Sequence, residues 1–132
     1  MADTMQFDLV SPERRLASGR VRSVLIPGAD GDLTAMPDHA PIVATLRPGI
    51  LVVEMEGGSR EEYAVTGGFV QVTADAATVL ADEALPKAEF SPDVLRERIA
   101  EAEAARDSAE GAGHDDAAKR VADLTSLLDA MV

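Results

Sequence analysis

The apolar residues of this 132-residue chain change their spacing part-way along it. From residue 7 to about residue 84 they come in short runs separated by Gly, Pro and Asp, which is typical of a series of short strands. Beyond Pro86 they recur every three or four residues, which is the period of a helix face. The pattern predicts a mainly β fold with an α appendage: an N-terminal β-sandwich over residues 1–86 and an antiparallel two-helix hairpin over residues 87–132.

The β half contains two predicted hairpins. The apolar runs 50–55 and 63–66 flank Glu-Gly-Gly-Ser, in which glycine can take the positive φ that a tight connection requires. The runs 69–73 and 78–81 lie on either side of a second turn. With the β-rich run 21–26 they indicate about seven or more strands, enough for two packed sheets. We assign Tyr63 and Phe69 to the core between these sheets.

The α half begins with a capping signature. Ser91, Pro92 and Asp93 supply an N-cap residue, a proline at the first helical position and an acid in the first turn. Phe90 and Leu95 have the spacing of a hydrophobic staple. The sequence therefore predicts that the first helix begins here, with a narrow apolar stripe formed by Leu95, Ile99, Ala102 and Ala109 and interrupted at Arg106.

A second helix is predicted after a glycine-rich interruption at residues 111–113. Asp115 or Asp116 is expected to cap it. Its predicted apolar stripe consists of Ala117, Val121, Leu124, Leu128 and Met131. Because the two stripes are narrow, we expect the hairpin to be only marginally stable alone and to dock on another surface.

The charge and composition exclude several classes of function. The 24 acidic residues outnumber the 12 basic ones, and a net charge of −12 repels nucleic acid. There is no cysteine, so disulfides, thiolate zinc sites and cysteine nucleophiles are excluded. No apolar run approaches the roughly 20 residues that cross a bilayer, so membrane association is expected to be indirect, through another protein.

Catalytic residues are hard to find in this sequence. Asp38 and His39 lie together in a loop bracketed by prolines, but no Gly-x-Ser-x-Gly turn or cysteine supplies a nucleophile for them to activate. The other histidine, His114, lies far away in the sequence, and the glycines lack the spacing of nucleotide-binding loops. We therefore expect no catalytic site, no metal and no cofactor, and we assign His39 to structure or partner contact.

Three segments in order resemble one known family. Residues 7–14, 27–49 and 67–82 resemble the epsilon subunit family of F-type ATP synthases, equivalent to the mitochondrial delta subunit. The middle block carries the most specific part, with Gly-Asp-Leu at 31–33, Pro-Asp-His-Ala-Pro at 37–41 and Leu-Arg-Pro-Gly at 46–49. The resemblance covers the β half and, with two helices in the right place, nearly the whole chain.

This resemblance implies a non-catalytic rotor subunit of the central stalk, which couples the gamma shaft to the membrane c-ring for proton-driven ATP synthesis. In this family the sandwich grips gamma and rests on the c-ring. Matched by position, Gly31 and Asp32 are expected at the c-ring contact, where the carboxylate could pair with basic or amide groups. His39, Pro41 and Ile42 are expected at the gamma contact.

Two features of the α half depart from the resemblance. Some bacterial members carry a nucleotide-sensing motif at the start of the first helix, with an acid and an arginine where Ser91 and Val94 stand here. We therefore expect no nucleotide binding. The hairpin is also poor in the Lys and Arg that would contact the alpha and beta subunits of the catalytic head, so we expect it to be mainly structural rather than an inhibitor of ATP hydrolysis.

The sequence is also compatible with two other functions, a ligand-binding module and a small hydrolase. A stand-alone β-sandwich ligand-binding module fits the fold, although only 3% of residues are aromatic and few can stack on a ligand. A small hydrolase built on Asp38 and His39 lacks its nucleophile. The N-terminal residues resemble neither a secretory signal nor a transit peptide, which favours a peripheral location on the cytoplasmic face of a bacterial inner membrane over an organelle.

Overall fold

A computed structural model describes residues 3–89 and 91–131. Within them the chain forms nine strands, one 3-10 turn at Lys87–Glu89 and two helices. The strands are β1 (Met5–Val10), β2 (Arg15–Gly28), β3 (Gly31–Ala35), β4 (Ile42–Leu46), β5 (Gly49–Met55), β6 (Arg60–Val65), β7 (Gly68–Val72), β8 (Ala76–Ala81) and β9 (Ala84–Pro86). The helices are α1 (Pro92–Ser108) and α2 (Ala112–Met131). Contacts divide the chain into two compact units, which meet in the sequence between Lys87 and Ala88.

Backbone hydrogen bonds join the nine strands into one continuous sheet. The order is β1, β8, β7, β4, β2, β5, β6, β9, and β3 adds to β2. Because β1 pairs in parallel with β8 and antiparallel with β2, the path through β8, β7, β4 and β2 returns to β1. A sheet that closes on itself in this way encloses a core between two layers. The predicted N-terminal β-sandwich is confirmed.

Strand β1 illustrates how the sequence builds this core. Buried and half-buried residues alternate along it, because successive side chains of a strand point to opposite faces. Met5, Phe7 and Leu9 are at most 1% exposed. They pack with aliphatic residues of the other strands, among them Val21, Val24, Ile26, Leu51, Val53, Val70, Val72 and Val79. Each such side chain contributes about 1.5–3 kcal/mol on full burial, so many modest terms stabilise the sandwich.

Both predicted hairpins are confirmed, since β5 pairs with β6 and β7 pairs with β8. Tyr63 of β6 is 7% exposed and belongs to the core, as expected. Its hydroxyl donates a hydrogen bond of 2.6 Å to the Glu61 carboxylate. Burial, followed by this hydrogen bond, raises the pKa of Tyr63 to about 12. The phenol therefore keeps its proton and remains a donor at neutral pH.

The assignment of Phe69 to the core is wrong, because its side chain is 50% exposed. Along β7, Val70 and Val72 are buried while Phe69 and Gln71 are exposed. The strand alternates strictly, and the inward positions are already filled by the two valines. An aromatic side chain is thus left on the outer surface of the sheet.

The start of α1 agrees with the prediction. Ser91 caps the helix by accepting a hydrogen bond of 3.2 Å from the Asp93 N–H, and proline follows directly. Phe90, which was expected to pack on Leu95, lies outside the described residues. Leu95 and Ala102 are buried on α1, as the predicted stripe requires. The two helices pack against each other, so the predicted pair of helices is confirmed.

Helix α2 begins earlier than predicted. Asp115 or Asp116 was expected to cap it, but the helix begins at Ala112 and includes Gly113. Gly111 is the last of the three connecting residues 109–111 and has a positive φ of 62°. A single glycine inside a helix costs only about 1 kcal/mol relative to alanine, so Gly113 does not delay the helix.

The buried stripe of α2 differs from the prediction by one residue. Leu124 is buried as expected, but the second buried position is Leu127, while Leu128 is half-buried. Positions 124 and 127 are three apart and 124 and 128 are four apart, so both spacings fall near one face of a helix. The sequence pattern alone did not distinguish them.

Candidate functional site

The two loops predicted as contact sites lie at opposite ends of β4. Leu46, the last residue of β4, pairs with Gly28 beside the turn between β2 and β3. Ile42, the first residue of β4, follows the loop that contains His39. Four steps of about 3.3 Å place these two ends of the strand roughly 13 Å apart. Asp32 and His39 are therefore not brought together. Ile42, however, lines one open pocket together with Gly31 and Asp32.

The turn between β2 and β3, residues 28–31, is held closely against its neighbours. A Cβ on Gly28 would lie 2.4 Å from the backbone oxygen of Gly31, and Gly31 itself has φ of 135°. Glycine permits both the close approach and this backbone conformation. The Ala29 N–H donates a hydrogen bond of 2.7 Å to the Thr45 carbonyl oxygen, which attaches the turn to β4.

Arg47 joins the connection between β4 and β5 to this turn. Its Nη1 donates to the Gly28 carbonyl oxygen and its Nη2 donates to Oδ1 of Asp32, both at 2.5 Å. The Arg47 side chain is 30% exposed and that of Asp32 is 54% exposed. Charge-assisted hydrogen bonds from one guanidinium to two acceptors fix the geometry more firmly than a single exposed ion pair. This interaction of Asp32 was not predicted from the sequence.

The loop before β4 carries His39. Asp38 has a positive φ of 67°, and its N–H donates a hydrogen bond of 2.9 Å to the Ala74 carbonyl oxygen. The Nδ1 of His39 lies 2.6 Å from the Ala40 carbonyl oxygen. A carbonyl oxygen only accepts, so Nδ1 carries the proton of this hydrogen bond. In the described part of the chain no hydrogen bond joins the Asp38 carboxylate to the ring.

Exposed apolar residues lie at the start of β4 and on the outer side of the sheet. Pro41 is exposed and Ile42 is 40% exposed. Beyond them lie Val43, Phe69 and Leu80 on the adjacent strands β4, β7 and β8, with exposures of 69%, 50% and 40%. Neighbouring exposed apolar side chains of this size are typical of an interaction surface. We call Val43, Phe69 and Leu80 the β4–β7–β8 face; its three residues were not predicted as a site.

Four basic residues of the helices form ion pairs with acids of the same helix. Four ion pairs illustrate this: Arg96 with Asp93 at 2.9 Å, Arg98 with Glu101 at 3.4 Å, Arg106 with Asp107 at 3.2 Å, and Lys119 with Asp123 at 4.0 Å. Exposed pairs of this kind add little stability. These pairs do, however, neutralise Arg and Lys side chains that could otherwise bind an acidic surface of another protein.

The start of α1 has no acid or guanidinium at the two positions singled out from the sequence. The Ser91 hydroxyl serves as the helix cap, and Val94 is a half-buried aliphatic residue. Among residues 3–89 and 91–131 no group of three or more acidic or histidine side chains is placed to hold a metal ion. Neither helix in that part of the chain is both long and apolar enough to span a membrane.

Comparison with known proteins identifies one family. The family model described as ATP synthase, Delta/Epsilon chain, beta-sandwich domain matches residues 4–87. The ATP synthase epsilon chain of Jannaschia sp. (strain CCS1) is 54% identical and covers 98% of this chain and 97% of its own length. That of Rhodobacter capsulatus is also 54% identical, over 96% of both chains. That of Rhizobium meliloti is 42% identical, over 96% of this chain and 95% of its own.

Solved structures agree with these sequences. A chain in the cryo-EM structure of Euglena gracilis mitochondrial ATP synthase, containing OSCP, F1 and the c-ring in rotational state 1, superposes with a TM-score of 0.76. It is 25% identical, and the match covers 100% of this chain and 84% of that one. A chain of the Tetrahymena thermophila central stalk and c-ring shares the fold, with a TM-score of 0.67, 19% identity and coverage of 97% and 96%. This chain therefore belongs to the family of ATP synthase epsilon chains.

Proposed function

We propose that this chain is a non-catalytic rotor subunit that joins the gamma shaft of an F-type ATP synthase to the c-ring. The observation that carries the proposal is that the turn carrying Asp32 and the loop carrying His39 lie at opposite ends of one strand of the sandwich. A body of this kind transmits torque without moving parts, because its strands are linked by continuous hydrogen bonding. It supplies no group of its own to ATP chemistry.

The turn that contains Gly31 and Asp32 makes the c-ring contact in this proposal. Three hydrogen bonds hold this end of the sandwich, from Ala29 to Thr45 and from Arg47 to Gly28 and Asp32. A turn fixed in advance loses little conformational entropy on docking. That property suits a contact that bears load during rotation.

The gamma contact uses the other end and the adjoining apolar surface. His39, Pro41 and Ile42 lie there, and the β4–β7–β8 face, on the side of the sheet opposite to Ile42, adds three further apolar side chains. Since each of these three is about half exposed, burying the rest yields roughly 1 kcal/mol per side chain. A hydrophobic centre with a histidine at its rim resembles the anatomy of stable interfaces.

In this proposal the chain occupies a peripheral position on the cytoplasmic face of a bacterial inner membrane, and it is held there by the c-ring. Its strongly acidic surface, with net charge −12, disfavours direct adsorption to anionic lipid. The chain transmits the proton-driven rotation of the c-ring to gamma. The alpha and beta subunits of the catalytic head are not required partners.

Capture experiments test the two contacts separately. We expect tagged wild-type chain to retain gamma in stoichiometric amount and the gamma-bound complex to retain the c-ring. His39→Ala is expected to weaken gamma capture by roughly 5- to 30-fold, the usual range for an important interface side chain. Asp32→Lys is expected to weaken c-ring capture and leave gamma capture unchanged, because it reverses the charge on the c-ring side and opposes Arg47.

The control for the charge reversal is Glu56→Lys. Glu56 is an exposed acid in the turn between β5 and β6 and is not among the residues assigned to either contact. It should leave both captures at the wild-type level. Absence of gamma capture by the wild-type chain at micromolar concentration would contradict the proposal and favour the stand-alone ligand-binding module.

Removing residues 88–132 from the assembled enzyme tests the role of the helices. We expect the rate of ATP hydrolysis to change by less than about twofold, because basic side chains of the helices are paired with neighbouring acids and such exposed pairs carry little energy to lose. The rate is measured in the reconstituted complex with and without the segment. A large acceleration on removal would show that the helices inhibit the catalytic head.

A further inference from the structure

The Asp32 carboxylate, expected from the sequence to face the c-ring, is bound by Arg47 within the sandwich. We propose that Arg47 is a positioning residue for the c-ring contact and that Asp32 acts on this contact through Arg47 rather than by pairing with the ring itself. This inference rests on the proposed function. It assigns a role to a residue in the connection between β4 and β5, outside the turn that docks.

The guanidinium of Arg47 bridges two parts of the turn. Nη1 binds the Gly28 carbonyl oxygen at the end of β2, and Nη2 binds Asp32 near the start of β3. The residues it ties together are therefore the two that flank the tip of the turn. With both acceptors occupied, the tip cannot open without breaking a charge-assisted hydrogen bond.

The backbone of Arg47 is itself hydrogen-bonded to β2. Its N–H donates a hydrogen bond of 3.0 Å to the Pro27 carbonyl oxygen. Arg47 thus contacts β2 through its backbone and the turn through its side chain, and it lies one residue after the end of β4. The position of the turn is set by the sheet rather than by the turn sequence alone.

Asp32 already has an ion-pair partner within the sandwich, which competes with a direct ion pair to the ring. One of its carboxylate oxygens is held by Arg47 at 2.5 Å, and the positive charge of Arg47 neutralises it at that distance. Asp30, at the tip of the same turn, is exposed and has no ion pair among the residues that the structure describes. The two acids of one turn therefore differ in a way that an experiment can use.

A double-mutant cycle on the affinity of the gamma-bound complex for the detergent-solubilised c-ring tests the inference. Arg47→Gln is expected to weaken ring binding by about tenfold, and Asp32→Asn by several-fold. Each substitution removes part of the same group of hydrogen bonds around the turn. The double variant should bind no more weakly than Arg47→Gln alone. Arg47→Lys should recover part of the loss, because lysine reaches one acceptor but does not present a fork to two.

Two controls separate positioning from general stability. Gamma capture and the urea midpoint of each variant are measured in parallel, and both should stay close to wild type while ring affinity falls. Asp30→Asn removes one charge from the same turn and leaves the hydrogen bonds of Arg47 intact. Its effect at each salt concentration therefore measures how much of the ring affinity comes from the charge alone.

Additive effects of Asp32→Asn and Arg47→Gln on ring affinity would overturn the inference, because they would show that Asp32 contacts the ring directly. Equal losses of gamma and ring binding would also overturn it, since they would indicate a general loss of structure. Failure of the wild-type gamma-bound complex to bind the ring would instead contradict the proposed function.

Discussion

Gly68→Ala is expected to lower the free energy of unfolding of the sandwich by roughly 2–6 kcal/mol, through backbone strain and overpacking together. Gly68 begins β7 with φ of 127°, a conformation that favours glycine. A Cβ there would lie 2.1 Å from the Leu80 carbonyl oxygen and 2.9 Å from the Ala81 Cα. Both neighbours are backbone atoms of the paired strand β8, so neither can move aside without breaking the ladder.

Variants of three other glycines measure the backbone strain and the steric overlap separately. Gly31→Ala meets nothing within 4 Å but has φ of 135°, so it should cost only the strain, about 1–3 kcal/mol. Gly28→Ala meets the Gly31 oxygen at 2.4 Å without a positive φ, so it isolates the steric term. Gly57→Ala meets neither condition and should stay within about 0.5 kcal/mol of wild type.

Chemical unfolding of the four variants, followed by circular dichroism, gives these values directly. If Gly68→Ala unfolded at the same denaturant concentration as Gly57→Ala, the close approach of β7 to β8 described here would be wrong. If Gly68→Ala were unfolded altogether, the Gly31 and Gly28 variants would still give the two contributions separately.

Phe69→Glu is expected to weaken gamma capture by roughly 100-fold or more, while the sandwich stays folded. Phe69 lies at the centre of the β4–β7–β8 face and pairs with Leu80 across the ladder. Aromatic side chains at the centre of an interface carry a large share of the binding energy, and a carboxylate in their place is desolvated without a partner. The side chain is already half exposed, so the folded state of the free chain loses little.

Leu25→Glu is the matched control for this change. Leu25 is 39% exposed and lies on β2 between β3 and β5, outside the proposed gamma contact. The same apolar-to-acidic change there should leave gamma capture within about twofold of wild type. Equal effects of the two substitutions would mean that the β4–β7–β8 face is not the surface that binds gamma.

The outline of the sandwich was predictable because its signals are local. Strand periodicity and the glycines of the turn between β5 and β6 locate both hairpins without any knowledge of the rest of the chain. Phe69 was misplaced although its own strand contained the answer. The order Phe, Val, Gln, Val at residues 69–72 puts the aromatic on the same side as glutamine.

The contacts that define the candidate sites were less accessible from the sequence. Arg47 and Asp32 are 15 residues apart and meet only because β2, β3 and β4 take a particular register. Nothing in the spacing of an arginine and an aspartate reveals such a register. At the helices, the local sequence correctly located the start of α1 at Ser91 but not the start of α2. Gly111 and Gly113 were both candidates for the turn, and only the structure shows that Gly111 has the positive φ.

The parallel pairing of β1 with β8 constrains how this chain is made. Residues 6–10 pair with residues 76–80, so the N-terminal strand waits for a partner that leaves the ribosome much later. At synthesis rates of about 5–20 residues per second the delay is roughly 3.5–14 s. During that interval one edge of β1 is open to pairing with other nascent chains, and a sequence of high contact order folds slowly even after release. The closure of the sheet thus leaves the new chain prone to aggregation until β8 has left the ribosome.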